Sequence, residues 1–272
     1  MGDIATDTGR PAGRPRPVTS ELALGAGRLR DLHHADRPLV LPNAWDAASA
    51  RAIERAGFPA VATSSAAMVG SLGYRDGSCA PAPEVFDAVA RIARSVRVPV
   101  TADLEDGYGL SPDELVARAL SAGVVGCNLE DSDHRGGAPL IPLEDQVSRL
   151  AATKEAGRQR GVDLVLNARV DVFVRAVGAP GDRVGEALRR CRAYLEAGAE
   201  CVYPITASDD DTVAALVEGA GGPVNVMATP DPADVARLAR LGVARISFGS
   251  GVARVLDRRL AGLLDDLRMA AT

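Results

Sequence analysis

The chain has 272 residues, of which 47% are hydrophobic and 25% are charged, and its formal net charge at pH 7 is -5. A chain of this length buries a full core, and its composition is that of an ordinary globular protein. The acidic balance and the 3% of aromatic residues argue against a basic, aromatic nucleic-acid surface. No apolar run approaches the ~20 residues that a membrane span needs, so neither nucleic acid nor a membrane is an expected partner.

The four cysteines are scattered, without a Cys-x-x-Cys pair. This pattern is typical of reduced thiols rather than of a disulfide framework or a zinc site, and it predicts a cytoplasmic protein. The first residues contain arginine, proline and glycine but no apolar stretch of a secretory signal. We predict a flexible tail over 1–18 and a single domain over 19–272, with an extra helix over 20–35.

Eight short apolar runs alternate with helical patterns from residue 38 onward, with no linker-like break between them. Each run is continuously apolar, which is typical of parallel strands that are buried on both faces. The predicted strands are 39–43, 60–64, 98–103, 124–130, 164–169, 201–205, 224–228 and 245–249.

Amphipathic helices fill the intervals, and several end in a glycine directly before the next strand, as in "LSAGVVGC". Glycine at this position adopts the left-handed conformation that ends a helix. Eight strand–helix units in about 250 residues predict an α/β fold, a closed (β/α)8 barrel of the TIM type, with the 20–35 helix plugging one end. An open doubly wound sheet is the alternative, although no Gly-x-Gly-x-x-Gly follows the first strand.

Polar side chains gather at the carboxyl ends of the predicted strands, where (β/α)8 barrels hold their active sites. Asp103 and Glu105 lie two residues apart at the end of one strand, and Glu130 ends the next. Clustered carboxylates repel each other unless a cation lies between them, and oxygen-only donors favour Mg2+, with Mn2+ as the other candidate. We therefore predict a metal site here. The alternative is that these acids cap the following helices or pair with Arg75 or Arg135.

Arg169 ends the fifth strand within this acidic region, and its planar guanidinium is suited to grip a substrate carboxylate through two parallel hydrogen bonds. The alternative is a structural ion pair with Asp171 or Glu130. The turn over 63–68 offers backbone N–H groups and small side chains to an anionic group. Asn225, in the seventh strand, is a further substrate-binding candidate.

The segments "LPNAWDAASA", "TSSAAMVGSLGYRDG", "ADLEDGYG", "GCNLEDS" and "LNARVDVF" follow one another in this order. Together they resemble the isocitrate lyase/phosphoenolpyruvate mutase superfamily, over roughly residues 39–255. The resemblance implies a Mg2+-dependent enzyme that acts on 2-oxo acids or related carboxylates through an enolate-like intermediate. It also implies a homo-oligomer, a dimer or tetramer, in which a C-terminal helix at 250–268 swaps between subunits.

The resemblance further assigns roles to single residues. The direct metal ligand would be Asp103. Metal-bound waters would be held by Asp76, Glu105 and Glu130. The substrate would be held by Ser64, Ser65, Arg169 and Trp45.

The loop after Glu130 departs from the family pattern. Family lyases carry a Lys-Lys/Arg-Cys-Gly-His segment there, whose cysteine serves as the acid, whereas this chain has "DSDHRGGAPLIPLEDQ". The lysine and asparagine that the phosphonomutases use on this loop are missing as well. His134 can donate a proton near neutral pH, and it joins Arg169 and Glu130 in the predicted catalytic set. The alternative is a solvated loop histidine.

Three functions are compatible with these residues. The first is a Mg2+-dependent lyase or hydrolase that cleaves a C–C bond of a 2-oxo or 2-hydroxy carboxylate. The second is a P–C bond mutase or hydrolase of the phosphonopyruvate type, which ranks lower because only Arg135 and His134 are available to face a phosphonyl group. The third is a non-catalytic homologue that binds a 2-oxo acid.

Overall fold

The computed structural model describes residues 17–77 and 79–271. The tail predicted over 1–18 therefore lies, up to residue 16, outside the described residues. The strands are β1 (Leu39–Leu41), β2 (Asn43–Ala44), β3 (Val61–Thr63), β4 (Val100–Asp103), β5 (Gly126–Glu130), β6 (Val165–Val170), β7 (Cys201–Pro204), β8 (Asn225–Met227) and β9 (Arg245–Ser247). The helices are α1 (Thr19–Leu32), α2 (Ala47–Arg55), α3 (Ser65–Ser71), α4 (Ala82–Ala93), α5 (Pro112–Ala122), α6 (Leu143–Gln159), α7 (Arg183–Glu196), α8 (Asp210–Gly219), α9 (Pro232–Arg240) and α10 (Gly251–Ala270).

The strands pair in parallel and in an order that follows the chain. Strands β2 to β7 form one sheet, and β1, β9 and β8 form a second in that order. An isolated parallel bridge between Val202 and Val224 links β7 to the residue before β8, and Pro42 alone separates β1 from β2. The first predicted strand is thus split in two, because proline has no N–H to donate to a neighbouring strand. The result is an α/β fold with parallel strands and helices, consistent with a TIM-like barrel.

The helices begin and end at local signals in the sequence. The hydroxyl of Ser111 accepts a hydrogen bond from the backbone N–H of Glu114, whose side chain reaches back to the N–H of Ser111, and α5 begins there. The same helix ends at Gly123, which adopts a φ of 88° that glycine alone reaches without strain. Apolar side chains spaced along one face, such as Val89 and Ile92 of α4, are buried against the sheet.

Helix α1 covers the amino-terminal ends of the strands, and it confirms the extra helix predicted over 20–35. Its Leu29 packs with Leu39 and Val165, at the start of β1 and of β6. Gly126 makes room for this contact, because a Cβ atom there would lie 2.8 Å from both Leu29 Cδ2 and the carbonyl oxygen of Val165. The opposite ends of the strands, where barrel enzymes carry their chemistry, stay clear of this helix.

Helix α10 carries a row of large apolar side chains that are exposed within a single copy of the described chain. These side chains are Leu256, Leu260, Leu263, Leu264, Leu267 and Met269. Within the described part of the chain, neither α10 nor any other helix combines the length and the apolar character that crossing a bilayer requires.

Candidate active site

The candidate site lies at the carboxyl ends of β4, β5 and β6. Asp103 closes β4, Glu130 closes β5, and Arg169 lies one residue before the end of β6. The parallel register sets Asp103 beside Asn128 and Glu130 beside Arg169. The charges of Asp103, Glu130 and Arg169 act on one another. The strand-end pattern in the sequence therefore led to residues that the fold brings together.

Asp103 is held in place by hydrogen bonds from three elements. One carboxylate oxygen, Oδ2, accepts from the hydroxyl of Ser65 at 2.6 Å and from its backbone N–H at 3.2 Å. The other, Oδ1, accepts only a longer bond of 3.4 Å from the side-chain amide of Asn128. The backbone N–H of Asp103 donates to the hydroxyl of Thr63 at 2.9 Å. Oδ1 is therefore the less strongly bound of the two oxygens.

The serine turn after β3 supports Asp103 and the next helix. Ser65 is the first residue of α3 and bonds to Asp103 through both its hydroxyl and its backbone N–H. The hydroxyl of Ser64 accepts from the backbone N–H of Ala67 at 3.3 Å and so caps α3. The role of Ser64 and Ser65 in holding a substrate stays a prediction.

Arg169 lies between two buried carboxylates. Its NH1 group forms an ion pair with Glu130 Oε2 at 2.6 Å. Its Nε and NH2 groups donate to the two oxygens of Asp171 at 2.7 and 3.0 Å. The ion pairs that the sequence offered as an alternative are thus both present, and they preorganise the guanidinium at the site.

His134 completes this group from the loop that follows β5. Its Nε2 atom lies 2.5 Å from Glu130 Oε1, and its side chain is only 20% exposed. The alternative of a solvated loop histidine is therefore not what the structure contains. Glu130 thus contacts an arginine with one oxygen and a histidine with the other.

The members of this group alter one another's pKa values. Burial raises the pKa of Glu130 to about 7, although the hydrogen bond from His134 and the charge of Arg169 oppose the rise. The hydrogen bond to Glu130 raises the pKa of His134 above its usual value. Burial alone would lower the pKa of Arg169, but the carboxylates of Glu130 and Asp171 outweigh it and raise that pKa. The pKa values of Glu130 and His134 thus both lie above their usual values, which suits the pair to proton transfer.

The Gly-Tyr-Gly turn after β4 holds the other two acids of the "LEDGYG" segment. Glu105 has a φ of 49°, and its carboxylate accepts a hydrogen bond of 3.0 Å from the hydroxyl of Tyr108. Asp106 accepts from the backbone N–H of Tyr108 at 2.9 Å and forms an ion pair of 2.6 Å with Arg135. The pairing of an acid with Arg135, left open by the sequence, applies to Asp106, and it fastens the 131–142 loop beside the site.

Within the described residues, three further predicted side chains, those of Asp76, Trp45 and Asn225, form no hydrogen bond to Asp103, Glu130 or Arg169. Burial and the charge of Asp103 raise the pKa of Asp76, which places the Asp76 carboxylate within electrostatic range of the site. Trp45 is half-buried and packs against the apolar core. Asn225 is the first residue of β8 rather than one at its carboxyl end, and its Oδ1 accepts from the hydroxyl of Ser247. Asn225 therefore lies deeper in the fold than the strand-end pattern indicates.

The donors around Asp103 are suited to a hard dication, although they do not form a closed cluster. No group of three or more His, Cys, Asp or Glu side chains in the described chain is arranged to hold a metal ion. Glu105 and Glu130 are turned to Tyr108 and to Arg169. Mg2+ commonly keeps several waters and binds through only one or two carboxylates. The arrangement here fits that preference, because Asp103 Oδ1 is weakly bound and the other acids lie farther away, where they could hold waters.

Two residues that bond to the predicted acids were not among the predicted site residues. Asn128 bonds to Asp103, and Tyr108 bonds to Glu105. The signal for Asn128 in the sequence is a polar residue within the apolar run "VVGCNLE". The signal for Tyr108 is a tyrosine between two glycines.

Carboxylates, an arginine and a histidine thus meet at the carboxyl ends of the strands of a TIM-like α/β fold, the end at which barrel enzymes hold their active sites. Residues 29–267 match the phosphoenolpyruvate phosphomutase family. The chain therefore belongs to this family, within the phosphoenolpyruvate mutase/isocitrate lyase superfamily whose motifs it carries.

Relatives of this chain include an uncharacterized protein, a lyase and a protein provisionally assigned as a phosphonomutase. An uncharacterized protein of Mycobacterium tuberculosis is 36% identical over 82% of this chain and 81% of its own length. The 2-methylisocitrate lyase of Bacillus subtilis is 28% identical over 66% of this chain and 59% of the enzyme. A solved Burkholderia cenocepacia protein, provisionally assigned as a phosphonomutase, is 38% identical with a TM-score of 0.82, covering 89% of this chain and 99% of its own.

A phosphonopyruvate hydrolase solved with oxalate and Mg2+ shares the fold. Its TM-score is 0.79 at 24% identity, over 91% of this chain and 88% of that one. The homologues that have a named activity include 2-methylisocitrate lyases and a carboxyvinyl-carboxyphosphonate phosphorylmutase, so they are lyases or mutases that act on carboxylates or phosphonates.

Proposed function

We propose that this protein is a Mg2+-dependent enzyme that cleaves a C–C bond of a 2-oxo or 2-hydroxy carboxylate through an enolate-like intermediate. The observation that carries the proposal is the group of Arg169, Glu130 and His134 beside Asp103. It combines a guanidinium for a carboxylate, a base and an acid for proton transfer, and an oxygen donor for a hard cation.

Asp103 would hold the metal directly, and Asp76, Glu105 and Glu130 would hold its waters. Mg2+, or Mn2+ in its place, supplies a Lewis acid that stabilises negative charge developing on a substrate oxygen. The chain's own contribution is to fix Asp103 through Ser65, so that its carboxylate needs no reorganisation.

Arg169 would bind the substrate carboxylate, with Ser64, Ser65 and Trp45 lining the space around it. Arg169 already holds two carboxylates in place, and a substrate carboxylate would compete with Glu130 for its NH1 group. That competition frees Glu130 as a base as soon as the substrate is bound. We assign Asn225 a supporting position below the substrate, because it begins β8.

Cleavage of a 2-hydroxy carboxylate requires two proton transfers. A base removes the hydroxyl proton as the C–C bond breaks, and an acid returns a proton to the enolate carbon. Glu130, with a pKa raised to about 7, suits the first step. His134, whose pKa is raised by its hydrogen bond to Glu130, suits the second step as the proton donor. It would take the place of the cysteine that the family lyases carry on this loop.

A P–C bond mutase or hydrolase is the second candidate, supported by the similarity to the protein provisionally assigned as a phosphonomutase. A phosphonyl group needs additional cations, and Arg135 is committed to Asp106 at 2.6 Å. We therefore rank C–C cleavage first.

A substrate screen in the presence of Mg2+ tests the proposal. The substrates are oxaloacetate, 2-methylisocitrate, phosphonopyruvate and longer 2-oxo acids. Chromatography measures the products of each, and a phosphate assay measures P–C cleavage. We expect C–C cleavage products that disappear in His134→Gln and persist in His34→Gln, because His34 is an exposed histidine with no proposed role. Phosphate release alone would favour the P–C candidate. Oxalate binding without turnover of any of these acids would identify a non-catalytic binder.

We also propose that the strands close into a barrel and that α10 swaps between subunits. The bridge between Val202 and Val224 and the one-residue step at Pro42 support closure. The exposed leucines of α10 support exchange. Light scattering should give a dimer or tetramer that dissociates in the double variant Leu260→Ser/Leu264→Ser. Leu24→Ser, at a leucine of α1 that is even more exposed, is the control and should not dissociate it. A monomeric wild-type protein would contradict the exchange.

A further inference from the structure

The interior of the fold beneath Asp103 is polar, although barrels of this type usually pack branched apolar side chains there. Arg245 is 1% exposed, Asn128 is 7% exposed and Asn167 is fully buried. Within the described residues, the guanidinium of Arg245 contacts His33 and Asn128 and forms no ion pair with a carboxylate. A buried cation without a counter-ion lowers stability, so its presence calls for a role.

These side chains form a continuous series of hydrogen bonds that ends at the proposed metal ligand. Arg245 donates through NH2 to Asn128 Oδ1 at 3.2 Å, and Asn167 donates to the same oxygen at 2.8 Å. The amide nitrogen of Asn128 then donates to Asp103 Oδ1 at 3.4 Å. That oxygen is the one that Ser65 does not hold.

Chemical complementarity fixes the direction of the Asn128 amide. Its oxygen faces two donors, and its nitrogen faces a carboxylate. The reverse orientation would set an NH2 group against the NH groups of Arg245 and an oxygen against the carboxylate of Asp103.

Of the two groups that hold the Asn128 oxygen, only Arg245 is unable to reverse. A guanidinium has donors and no acceptor, whereas the amide of Asn167 presents either an NH2 group or an oxygen. Without Arg245, the amides of Asn167 and Asn128 can turn together, and the only group left to oppose the turn is the Asp103 carboxylate, whose bond to the Asn128 amide is long at 3.4 Å.

Arg245 is itself held by the amino-terminal helix. His33 Nδ1 lies 2.7 Å from the carbonyl oxygen of Leu29, so Nδ1 carries the proton and donates it. The Nε2 atom is then an acceptor, and it lies 3.4 Å from Arg245 NH1. Helix α1 thereby orients the guanidinium from the far end of the fold.

We propose that Arg245 is a positioning residue for the metal site, which fixes the Asn128 amide so that it donates to Asp103 Oδ1. This inference rests on the proposed function, in which Asp103 binds the metal directly. We name the four residues His33, Arg245, Asn128 and Asp103 the Arg245 series. It connects helix α1 to the catalytic end of the strands.

Titration of the protein with Mn2+ alone, with free Mn2+ measured by electron paramagnetic resonance, tests the proposal. We expect Arg245→Met and Arg245→Gln to weaken Mn2+ binding by roughly 10- to 100-fold, the usual effect of removing a group that orients a metal ligand. Arg245→Lys, which also has donors only, should stay within about threefold of wild type. Asn128→Ala should match Arg245→Met, and the double variant should lose no more than either single one, because Arg245 acts through Asn128.

Two controls separate this inference from loss of folding and from failure of the proposed function. Lys154→Met removes another buried cation, which bonds to the Leu164 carbonyl, and should lower Tm without changing Mn2+ affinity. If Asp103→Asn abolishes binding while Arg245→Met binds normally, the inference is wrong and the proposed function stands. If Asp103→Asn binds normally, the proposed metal ligand is wrong.

Neutron diffraction of the unmodified protein tests the inference without any variant. The amide deuterons of Asn128 should point to Asp103. Deuterons that point to Arg245 would overturn the inference whatever the Mn2+ titrations give.

Discussion

Replacement of Arg169 by lysine tests the part of the site that would bind the substrate. The arginine makes three charge-assisted hydrogen bonds, at 2.6 Å to Glu130 and at 2.7 and 3.0 Å to Asp171. A lysine keeps the charge but has no planar fork, so it is unable to contact both carboxylates with this geometry. The variant therefore separates the effect of the fork from that of the charge.

The size of the effect follows from the number of bonds lost. The lysine would lose two of the three bonds, and each is worth about 1.5–3 kcal/mol. Because the retained ammonium offsets part of this loss, we expect the free energy of unfolding to fall by roughly 3 kcal/mol. For a chain of this size, that corresponds to a fall in Tm of roughly 5–10 °C. Loss of one bond to the ligand carboxylate should weaken oxalate binding by roughly 10- to 100-fold.

Thermal melts and calorimetric titration with oxalate in the presence of Mg2+ measure both quantities. The matched control is Arg189→Lys, because Arg189 forms the same two-bonded fork with Glu186 at 2.8 and 2.9 Å on the surface. Exposed pairs contribute only about 0–1 kcal/mol, so the control should change neither Tm nor oxalate affinity appreciably. Equal, small effects of the two substitutions would refute the role of Arg169 as the carboxylate clamp.

Three other substitutions probe the packing and the titrating groups. Gly126→Ala should destabilise the fold by about 1–3 kcal/mol in urea unfolding, because the new methyl group would lie 2.8 Å from Leu29 Cδ2; unchanged stability would contradict the tight seat of α1. The hydrogen bond to Glu130 raises the pKa of His134, so a rate that needs protonated His134 should fall as pH rises through that raised value. His134→Gln should remove this alkaline limb of the kcat profile, and a limb that persists would exclude His134 as the acid. Burial lowers the pKa of His33 from 6.5 to about 3, so the unfolded chain binds a proton that the folded chain does not, and stability should fall as pH drops below 6.5. The loss amounts to roughly 2 kcal/mol by pH 5, and His33→Leu should reduce the slope of stability against pH, whereas an identical slope would contradict a neutral buried His33.

Much of the fold was predictable because its signals are local. Each of the eight apolar runs contains a strand, since buried parallel strands need continuous apolar sequence. Glycine stops and serine caps, as at Gly123 and Ser111, mark the ends of the helices without reference to the rest of the chain. The split of the first strand at Pro42 was also readable in principle, because proline lacks a donor.

The site was predictable only in part, because hydrogen-bond partners depend on register. The strand-end rule brought Asp103, Glu130 and Arg169 together, but it could not reveal that Ser65 holds Asp103. Asn225 was expected near the carboxyl end of its strand, and the structure differs because β8 begins at that residue. A sequence pattern gives the order of strands, whereas the depth of a side chain depends on where pairing starts.

The Arg245 series illustrates a second limit. An arginine at the start of the last strand is expected on the surface, since charged side chains are rarely buried. In the structure it contacts two residues that are distant in the sequence, His33 at 212 residues and Asn128 at 117 residues. No local pattern encodes such a contact.

The most direct test of the central claim is a crystal structure of the protein soaked with Mn2+ and oxalate, with the ion located by its anomalous scattering. Our account predicts one peak beside Asp103, with the oxalate between the ion and Arg169. An ion bound elsewhere, or none beside Asp103 when Mn2+ and oxalate are saturating, would contradict it.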